Sequence, residues 1–172
     1  MIKTILVATD GSEHAKKALA LASDLGAKYN ARLVLVHVLL TNARAETLRT
    51  LATRRGLSKD QRDLLENYEI DFHREVAAAG AAVGFVTVPP PRELVKAIGR
   101  QIMDRAEKAA TKAGVKKVVM HTVEGDPAEA ILELAASSKA SMIIMGSRGL
   151  SDFKGLLLGS ISHKVSAQAE CT

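Results

Sequence analysis

The apolar residues of this chain alternate between short continuous runs and stretches in which they recur every three or four positions. Four continuous runs, rich in aliphatic and β-branched residues, predict buried strands over residues 2–9, 32–40, 116–123 and 142–145. Helical spacing follows each strand, and the first helix is expected to end near Gly26. This order predicts an α/β fold with an open, mostly parallel, twisted sheet and helices on both faces.

An insertion interrupts the alternation after the second strand. About fifty residues separate Thr41 from Pro91, whereas a usual connection has roughly two to six. Helical spacing around Leu48, and the residues Ser58 and Gln61 of a capping box before a longer apolar stripe, predict a helical hairpin within residues 41–91. We therefore expect a single domain over residues 1–172 that contains this helical insertion.

Composition limits the classes of partner. The 3% of aromatic residues and the absence of Trp predict an aliphatic core. A net charge of +5 suggests an anionic partner, but acids are interleaved with the basic residues and aromatic side chains are scarce, so a nucleic-acid surface is not expected. The single Cys171 excludes a disulfide framework and fits a reducing compartment. Without a long apolar run or a signal peptide, we expect a cytoplasmic protein with no membrane partner.

A glycine-rich stretch after the fourth strand is the main candidate for chemistry. Gly146, Gly149 and Gly159 join a buried strand to the start of a helix at Ser160, and the backbone N–H groups of such a loop can hold phosphate. The spacing matches neither a Walker A loop nor the G-x-G-x-x-G fingerprint. Asp10 ends the first strand, where open parallel sheets hold ligands. Asp10 can equally cap the first helix, with Glu13 completing a capping box, and the two interpretations are compatible.

Several dispersed segments resemble a known family. They are ILVATDGSEHAKKAL, LVLVHVL, VEGDPAEAILELA, GSISHKV and the glycine spacing after the fourth strand. On these segments the chain resembles the nucleotide-binding branch of the universal stress protein family over about residues 1–40 and 92–170. The resemblance implies a Rossmann-like fold of the universal stress protein type and a site for ATP or a related adenine nucleotide.

The resemblance also implies roles for individual residues. Asp10 would lie near the adenine and ribose, and backbone groups around Val38 would meet the adenine. Ribose and phosphates would be cradled by the remaining matching residues, which are Gly146, Gly149, Gly159 and Ser160. Ser147, Arg148 and Ser162 are added from their positions alone. Any Mg²⁺ would be held mainly by the phosphates, since this ion usually keeps water and substrate oxygens as ligands.

As a function, the resemblance implies a regulatory or stress-response protein that binds the nucleotide without needing to turn it over. Two alternatives stay open: a slow ATP hydrolase, and a protein-interaction module that uses residues 44–76 of the insertion. No pair of nucleophile and general base accompanies the glycine loop, so no catalytic residue is assigned, and the histidines form no metal motif. Family members often dimerise through a last strand. A homodimer is expected, although this strand is missing from the sequence and the fourth strand should keep an unpaired edge.

Overall fold

All four strands of the sheet run parallel. The computed structural model of the protein describes residues 2–39, 41, 48, 58–79, 89–150 and 158–172. The elements with described bounds are β1 (Thr4–Ala8), α1 (Glu13–Tyr29), β2 (Arg32–Val38), α2 (Lys59–Ala79), α3 (Arg92–Lys112), β3 (Val118–Val123), α4 (Pro127–Ser137), β4 (Met142–Met145) and α5 (Ser160–Gln168). Each predicted strand is found, with ends that differ from the predicted ones by at most two residues.

The order of the strands in the sheet is β3-β2-β1-β4. From β1 the chain adds β2 and then β3 on one side, whereas β4 pairs with the other side of β1, so that Ile5 lies between Leu33 and Met142. Such a reversal leaves a crevice outside the carboxyl ends of the two strands at which it occurs. The predicted fold class, an open parallel α/β sheet, is confirmed.

Apolar side chains cover both faces of the sheet. Because successive residues of a strand point to opposite faces, one face carries the odd-numbered and the other the even-numbered residues of β1 and β2. The first face packs against α1 and the second half of α3, through the cluster Ile5, Val7, Leu33, Leu35, Ala18, Leu19, Ala22, Met103, Ala106 and Ala110. The second face packs against α4 and α5, through the cluster Leu6, Ala8, Val34, Val36, Ala128, Ile131, Ala135 and Val165. Helices therefore lie on both faces, as predicted.

The chain divides into two compact units. Met1–Val38 and Ile102–Thr172 form the first, which contains the whole sheet, and Leu39–Gln101 form the second, which contains the predicted insertion. None of the described helices combines the length and the hydropathy that a membrane span requires. The expectation of one domain over residues 1–172 stays a prediction.

The second unit contains the longer of the two predicted hairpin helices. Its capping box is confirmed at the start of α2, where the Ser58 N–H donates to Gln61 Oε1 at 3.0 Å and the Gln61 N–H donates to Ser58 Oγ at 3.2 Å. Leu65 and Tyr68 are buried on one face of α2, as its apolar stripe predicts. Of the predicted shorter helix, Leu48 is helical and buried, and its other residues lie outside the described part of the chain.

The helix α1, which was predicted to end near Gly26, continues to Tyr29 and has Asn30 as its C-cap, with a φ of 50°. Gly26 has a packing role within the helix. A Cβ atom at this position would collide with Leu33 Cδ1 of β2 and would lie 3.3 Å from Val115 Cγ2. Glycine lets α1 approach the sheet closely, which explains why a helix-weakening residue stands inside it.

The edge of β4 that was predicted to be unpaired is contacted by the last residue of the sequence. Within the described residues the sheet has four strands. The Ile143 N–H donates to a backbone oxygen of Thr172 at 2.7 Å, so the last residue meets β4 directly. A backbone donor of this edge strand is thereby satisfied.

The packing of α1 predicts that Gly26→Ala destabilises the protein. At an exposed helical site this substitution would stabilise by up to about 1 kcal/mol, but here the added methyl group should cost about 1–3 kcal/mol through overpacking. Urea unfolding of the single variant and of Gly26→Ala/Leu33→Val measures the effect. The shorter valine side chain at position 33 should recover part of the loss, and a single variant as stable as the wild type would contradict the assignment.

Candidate functional site

The crevice at the strand-order reversal brings two predicted site segments together. Asp10 follows the carboxyl end of β1 and Gly146 follows that of β4, and β1 and β4 are adjacent in the sheet. Because the strands are parallel, the N-terminus of α1 also lies at this edge. Residues that are more than one hundred positions apart in sequence therefore lie at one edge of the sheet.

Asp10 does not cap α1, so the predicted capping box with Glu13 is wrong. The N-cap residue is Ser12, whose Oγ accepts the Ala15 N–H at 3.2 Å. The carboxylate of Asp10 instead accepts the Ser12 N–H through Oδ1 at 2.9 Å, which forms a turn before the helix. Gly11 supports this turn with a φ of 79°. Asp10 therefore shapes the entry to α1 from outside the helix and keeps its second carboxylate oxygen, Oδ2, toward the glycine loop.

The closest approach in the crevice is between Asp10 and Gly149. A Cβ atom on Gly149 would lie 2.6 Å from Asp10 Oδ2, which is shorter than real Cβ contacts allow. The loop after β4 thus passes directly over the carboxylate that ends β1. A side chain at Gly149 would shift the end of the Asp10 side chain or the loop, and glycine allows their close approach.

Gly146 allows a second close approach, between the loop and α1. A Cβ atom on Gly146 would lie 2.9 Å from His14 Cβ, 3.0 Å from the Ala15 nitrogen and 2.8 Å from the Arg148 carbonyl oxygen. The chain leaving β4 therefore rests against the first turn of α1. This contact fixes the start of the loop relative to the turn formed by Asp10.

The carbonyl oxygen of Ser147 ties the loop to α5. It accepts the Gly159 N–H at 2.8 Å and the Ser162 hydroxyl at 2.7 Å, and Ser162 Oγ also lies 2.9 Å from the Gly159 carbonyl oxygen. Ser162 is buried. Both Gly159 and Ser162 were expected to meet the ligand, and in this structure their donors hold the two ends of the loop together.

The N-terminus of α5 presents unused backbone donors. Gly159 is the N-cap and makes no side-chain cap hydrogen bond, so Ser160, which sequence reasoning treated as a cap or a phosphate donor, is the first helical residue. The part of the chain that the structure describes offers no acceptor to the N–H groups of Ser160 and Ile161. Helix N-termini with free N–H groups favour anions.

The remaining predicted residues lie at the same edge. Val38 is the last residue of β2, the strand next to β1, and pairs in register with Val123. In the loop, Ser147 is exposed and Arg148 is half-buried. Residues 151–157, which connect this loop to α5, lie outside the described part of the chain. The described residues contain no cluster of His, Cys, Asp or Glu able to hold a metal ion.

Sequence reasoning missed the role of His37, a buried residue of β2 that is 1% exposed. Its Nδ1 atom lies 2.8 Å from the Thr9 carbonyl oxygen. Because a carbonyl can only accept, Nδ1 carries the proton, and the neutral ring leaves Nε2 as a bare acceptor. Nε2 is buried and has no partner among the described residues. The only signal in the sequence is a histidine within an apolar strand.

His37 fixes the backbone on which Asp10 stands. Its hydrogen bond holds the Thr9 carbonyl, while the Thr9 N–H donates to the Val36 carbonyl at 2.9 Å. Burial lowers the pKa of His37 from its ordinary value of 6.5, opposed by the Thr9 carbonyl and by the charge of Asp10. Protonation would place an unpaired N–H and a positive charge in a buried position, which is unfavourable.

Comparison with known proteins places this geometry in context. The sequence model of the universal stress protein family matches residues 1–172. A universal stress protein of Thermus aquaticus is 33% identical, and the match covers 99% of this chain and 96% of the relative. The solved structure of the hypothetical protein MJ0577 matches with a TM-score of 0.63 at 23% identity, covering 99% of this chain and 92% of that one.

A second solved structure is a universal stress protein in complex with cAMP. It matches with a TM-score of 0.57 at 22% identity and covers 99% of this chain and 92% of that chain. At these levels of identity the two structures show that the fold is shared. The residue contacts described above come from the structure of this chain alone.

The pKa of His37 predicts a pH dependence of stability. Because the folded pKa lies below 6.5, the folded state binds fewer protons than the unfolded state between the two values. The contribution of His37 is therefore complete above pH 6.5 and is lost as the pH falls through the folded pKa, by up to about 1.4 kcal/mol per pH unit. Urea unfolding at several pH values measures this loss.

The matched variants for this experiment are His37→Asn and His163→Asn. The amide nitrogen of an asparagine at position 37 can replace Nδ1 as the donor to Thr9 but does not titrate, so the loss of stability at low pH should shrink. His163 is exposed on α5, and its variant should retain the wild-type pH dependence. An unchanged pH dependence in His37→Asn would show that His37 is not the responsible group.

Proposed function

The chain belongs to the universal stress protein family, and on this premise we propose that it binds ATP or a related adenine nucleotide and acts as a regulatory, stress-response binding protein. The main support is the convergence at the strand-order reversal, where the glycine loop passes so close to Asp10 that a Cβ atom on Gly149 would lie 2.6 Å from Asp10 Oδ2. Crevices at such reversals are where open α/β sheets hold ligands.

Each part of the crevice suits a different part of a nucleotide. The carboxylate of Asp10 can accept hydrogen bonds from ribose hydroxyls, and the backbone at the end of β2 around Val38 can pair with the edge of an adenine ring. The N–H groups of Ser160 and Ile161 suit phosphate oxygens, because they stand at the positive end of α5. Ser147 and Arg148 complete the proposed phosphate side.

Three of the proposed residues act by holding the loop. Gly146 permits its contact with α1, while Gly159 and Ser162 donate to the Ser147 carbonyl and fix the distance between the loop and α5. This role differs from direct phosphate contact, which sequence reasoning had favoured. Preorganised backbone donors lose little entropy on binding, so a rigid loop favours affinity.

The relatives support an adenine ligand. One related structure is a universal stress protein in complex with cAMP, an adenine nucleotide. Its shared fold makes the same class of ligand the first choice for this chain. Any Mg²⁺ would be carried by the phosphates of ATP, as its preference for water and substrate oxygens suggests.

The site is better suited to binding ATP than to hydrolysing it. Hydrolysis of ATP needs a group that positions or activates water, and the buried hydroxyl of Ser162 in the first turn of α5 already lies within hydrogen-bonding distance of two carbonyl oxygens. A slow hydrolase remains the second choice. The proposal includes action in the cytoplasm as a homodimer, and the insertion within residues 41–91 as a surface for protein partners.

The first test is a calorimetric titration of the protein with ATP, comparing wild type with Gly149→Ala. The methyl group should displace the Asp10 carboxylate or the loop and remove a hydrogen bond to a charged group, which weakens binding by about tenfold or more. Thermal unfolding of each variant shows whether the fold is retained.

Gly125→Ala is the matched control for the Gly149 variant. Gly125 also lies in a turn at the carboxyl end of a strand and has a φ of 120°, and a Cβ atom at this position would have no other atom within 4 Å. The control should lose stability through backbone strain but keep its affinity for ATP. Absence of ATP binding by the wild type at millimolar concentration would remove the proposed function.

A further inference from the structure

The amino ends of the four strands form the opposite edge of the sheet, and this edge gathers basic residues. It consists of residues 2–3, 28–32, 111–117 and 137–141, which we call the amino edge. These segments contain seven basic residues and no Asp or Glu; the basic residues are Lys3, Lys28, Arg32, Lys112, Lys116, Lys117 and Lys139. The net charge of the whole chain is +5, so the rest of the chain is net negative.

Hydrogen bonds between the segments show that they are neighbours. The Arg32 N–H donates to the Lys3 carbonyl at 2.9 Å, and the Leu33 N–H donates to the Lys117 carbonyl at 2.9 Å. The Lys3 N–H donates to Ser141 Oγ at 3.2 Å. The amino edge is therefore one continuous strip across all four strands, about 14 Å wide from the usual strand spacing.

The lysines of the amino edge are available for contact. All six are exposed, and none of them forms an ion pair with a residue in the described ranges. Lys28 and Lys112 lie in the last turns of α1 and α3, where a positive charge complements the helix dipole. Of the other four, Lys3 precedes β1 and the remaining three follow the ends of α3 and α4, so helix stabilisation does not account for them.

We propose that the amino edge docks on an anionic membrane surface through its lysines. Juxtaposed lysines attract anionic lipid without needing a defined binding groove, and each contributes about fivefold to partitioning. This interaction is independent of nucleotide binding. With the amino edge on the membrane, the crevice at the carboxyl edge would face away from the lipid and stay open to ligand.

The side chains of the amino edge favour lipid over nucleic acid. Its only arginine, Arg32, is committed within the protein, where Nη2 donates to the Ser138 carbonyl at 3.1 Å. No free guanidinium in these segments can therefore read a base edge or grip a phosphodiester in bidentate fashion. Tyr29 is the one aromatic residue of these segments, is 48% exposed and has Lys28 Nζ 6.0 Å from its ring. An amphipathic ring beside lysines suits a lipid headgroup layer, whereas single-strand binding needs several stacking platforms.

Membrane docking departs from the expectation of no membrane partner. That expectation rested on the lack of a long apolar run and of a signal peptide, and the acids interleaved with bases along the chain argued separately against an anionic partner. The parallel strands change the argument from interleaved acids, because they bring the four segments that precede the strands to one edge of the sheet. Most acids of the described residues lie in the helices or at the carboxyl edge, whereas the exposed Glu170 follows α5 near the amino end of β4.

The test is co-sedimentation of the full chain with lipid vesicles. Vesicles of phosphatidylglycerol and phosphatidylcholine in equal parts should bind the wild type, and pure phosphatidylcholine vesicles should not. Raising the salt concentration to about 1 M, where the Debye length is about 3 Å, should release the protein. Lys116→Gln/Lys117→Gln should weaken binding about 25-fold while leaving ATP affinity unchanged.

The control variant is Lys16→Gln/Lys17→Gln, which removes an equal charge from the first turns of α1 at the opposite edge. It should bind the anionic vesicles as the wild type does. Equal losses in the two double variants would show that only net charge matters and would overturn the proposal. The proposal would also be overturned if the protein bound vesicles equally well with and without phosphatidylglycerol. It would likewise be overturned if the protein bound a duplex oligonucleotide but no vesicles, and lost that binding in Lys116→Gln/Lys117→Gln.

Discussion

The parallel direction of all four strands is the constraint on which the other features depend. It places the carboxyl ends of the four strands at one edge of the sheet and their amino ends at the other. The reversal of strand order at β1 then brings the turn that holds Asp10 against the loop that holds Gly149, at the place where open α/β sheets hold ligands. The two edges therefore differ in chemistry. The carboxyl edge has backbone donors and a carboxylate, and the amino edge has lysines.

The glycines of the loop have three different physical roles. A Cβ atom on Gly149 would push the Asp10 carboxylate aside, and one on Gly146 would collide with backbone atoms of the loop and of the first turn of α1. At Gly159 a Cβ atom would meet its neighbours at ordinary distances of 3.4 Å or more, and the backbone N–H supplies the link to Ser147. A spacing that reads as one motif in sequence therefore combines two steric requirements with one hydrogen bond.

Much of the fold could be predicted because apolar runs and helical stripes report burial directly, as at Met142–Met145, whose bounds were found as predicted. The errors arose where tertiary contacts decide. Gly26 stands inside α1, where it leaves room for Leu33, and Ser12 replaces Asp10 as the cap although both residue types cap helices well. The bond from His37 to Thr9 joins two strands and has no local signature. The amino edge was not predicted because its four segments are far apart in sequence.

The central claim is that an adenine nucleotide occupies the carboxyl edge between β1 and β4. Amide chemical shifts of the isotope-labelled protein, followed by NMR during an ATP titration, test it most directly because each backbone N–H reports separately. The account predicts saturable changes at Asp10, Gly149, Ser160 and Ile161, with no change at Lys117 on the amino edge. Changes confined to other residues, or none at millimolar ATP, would contradict it.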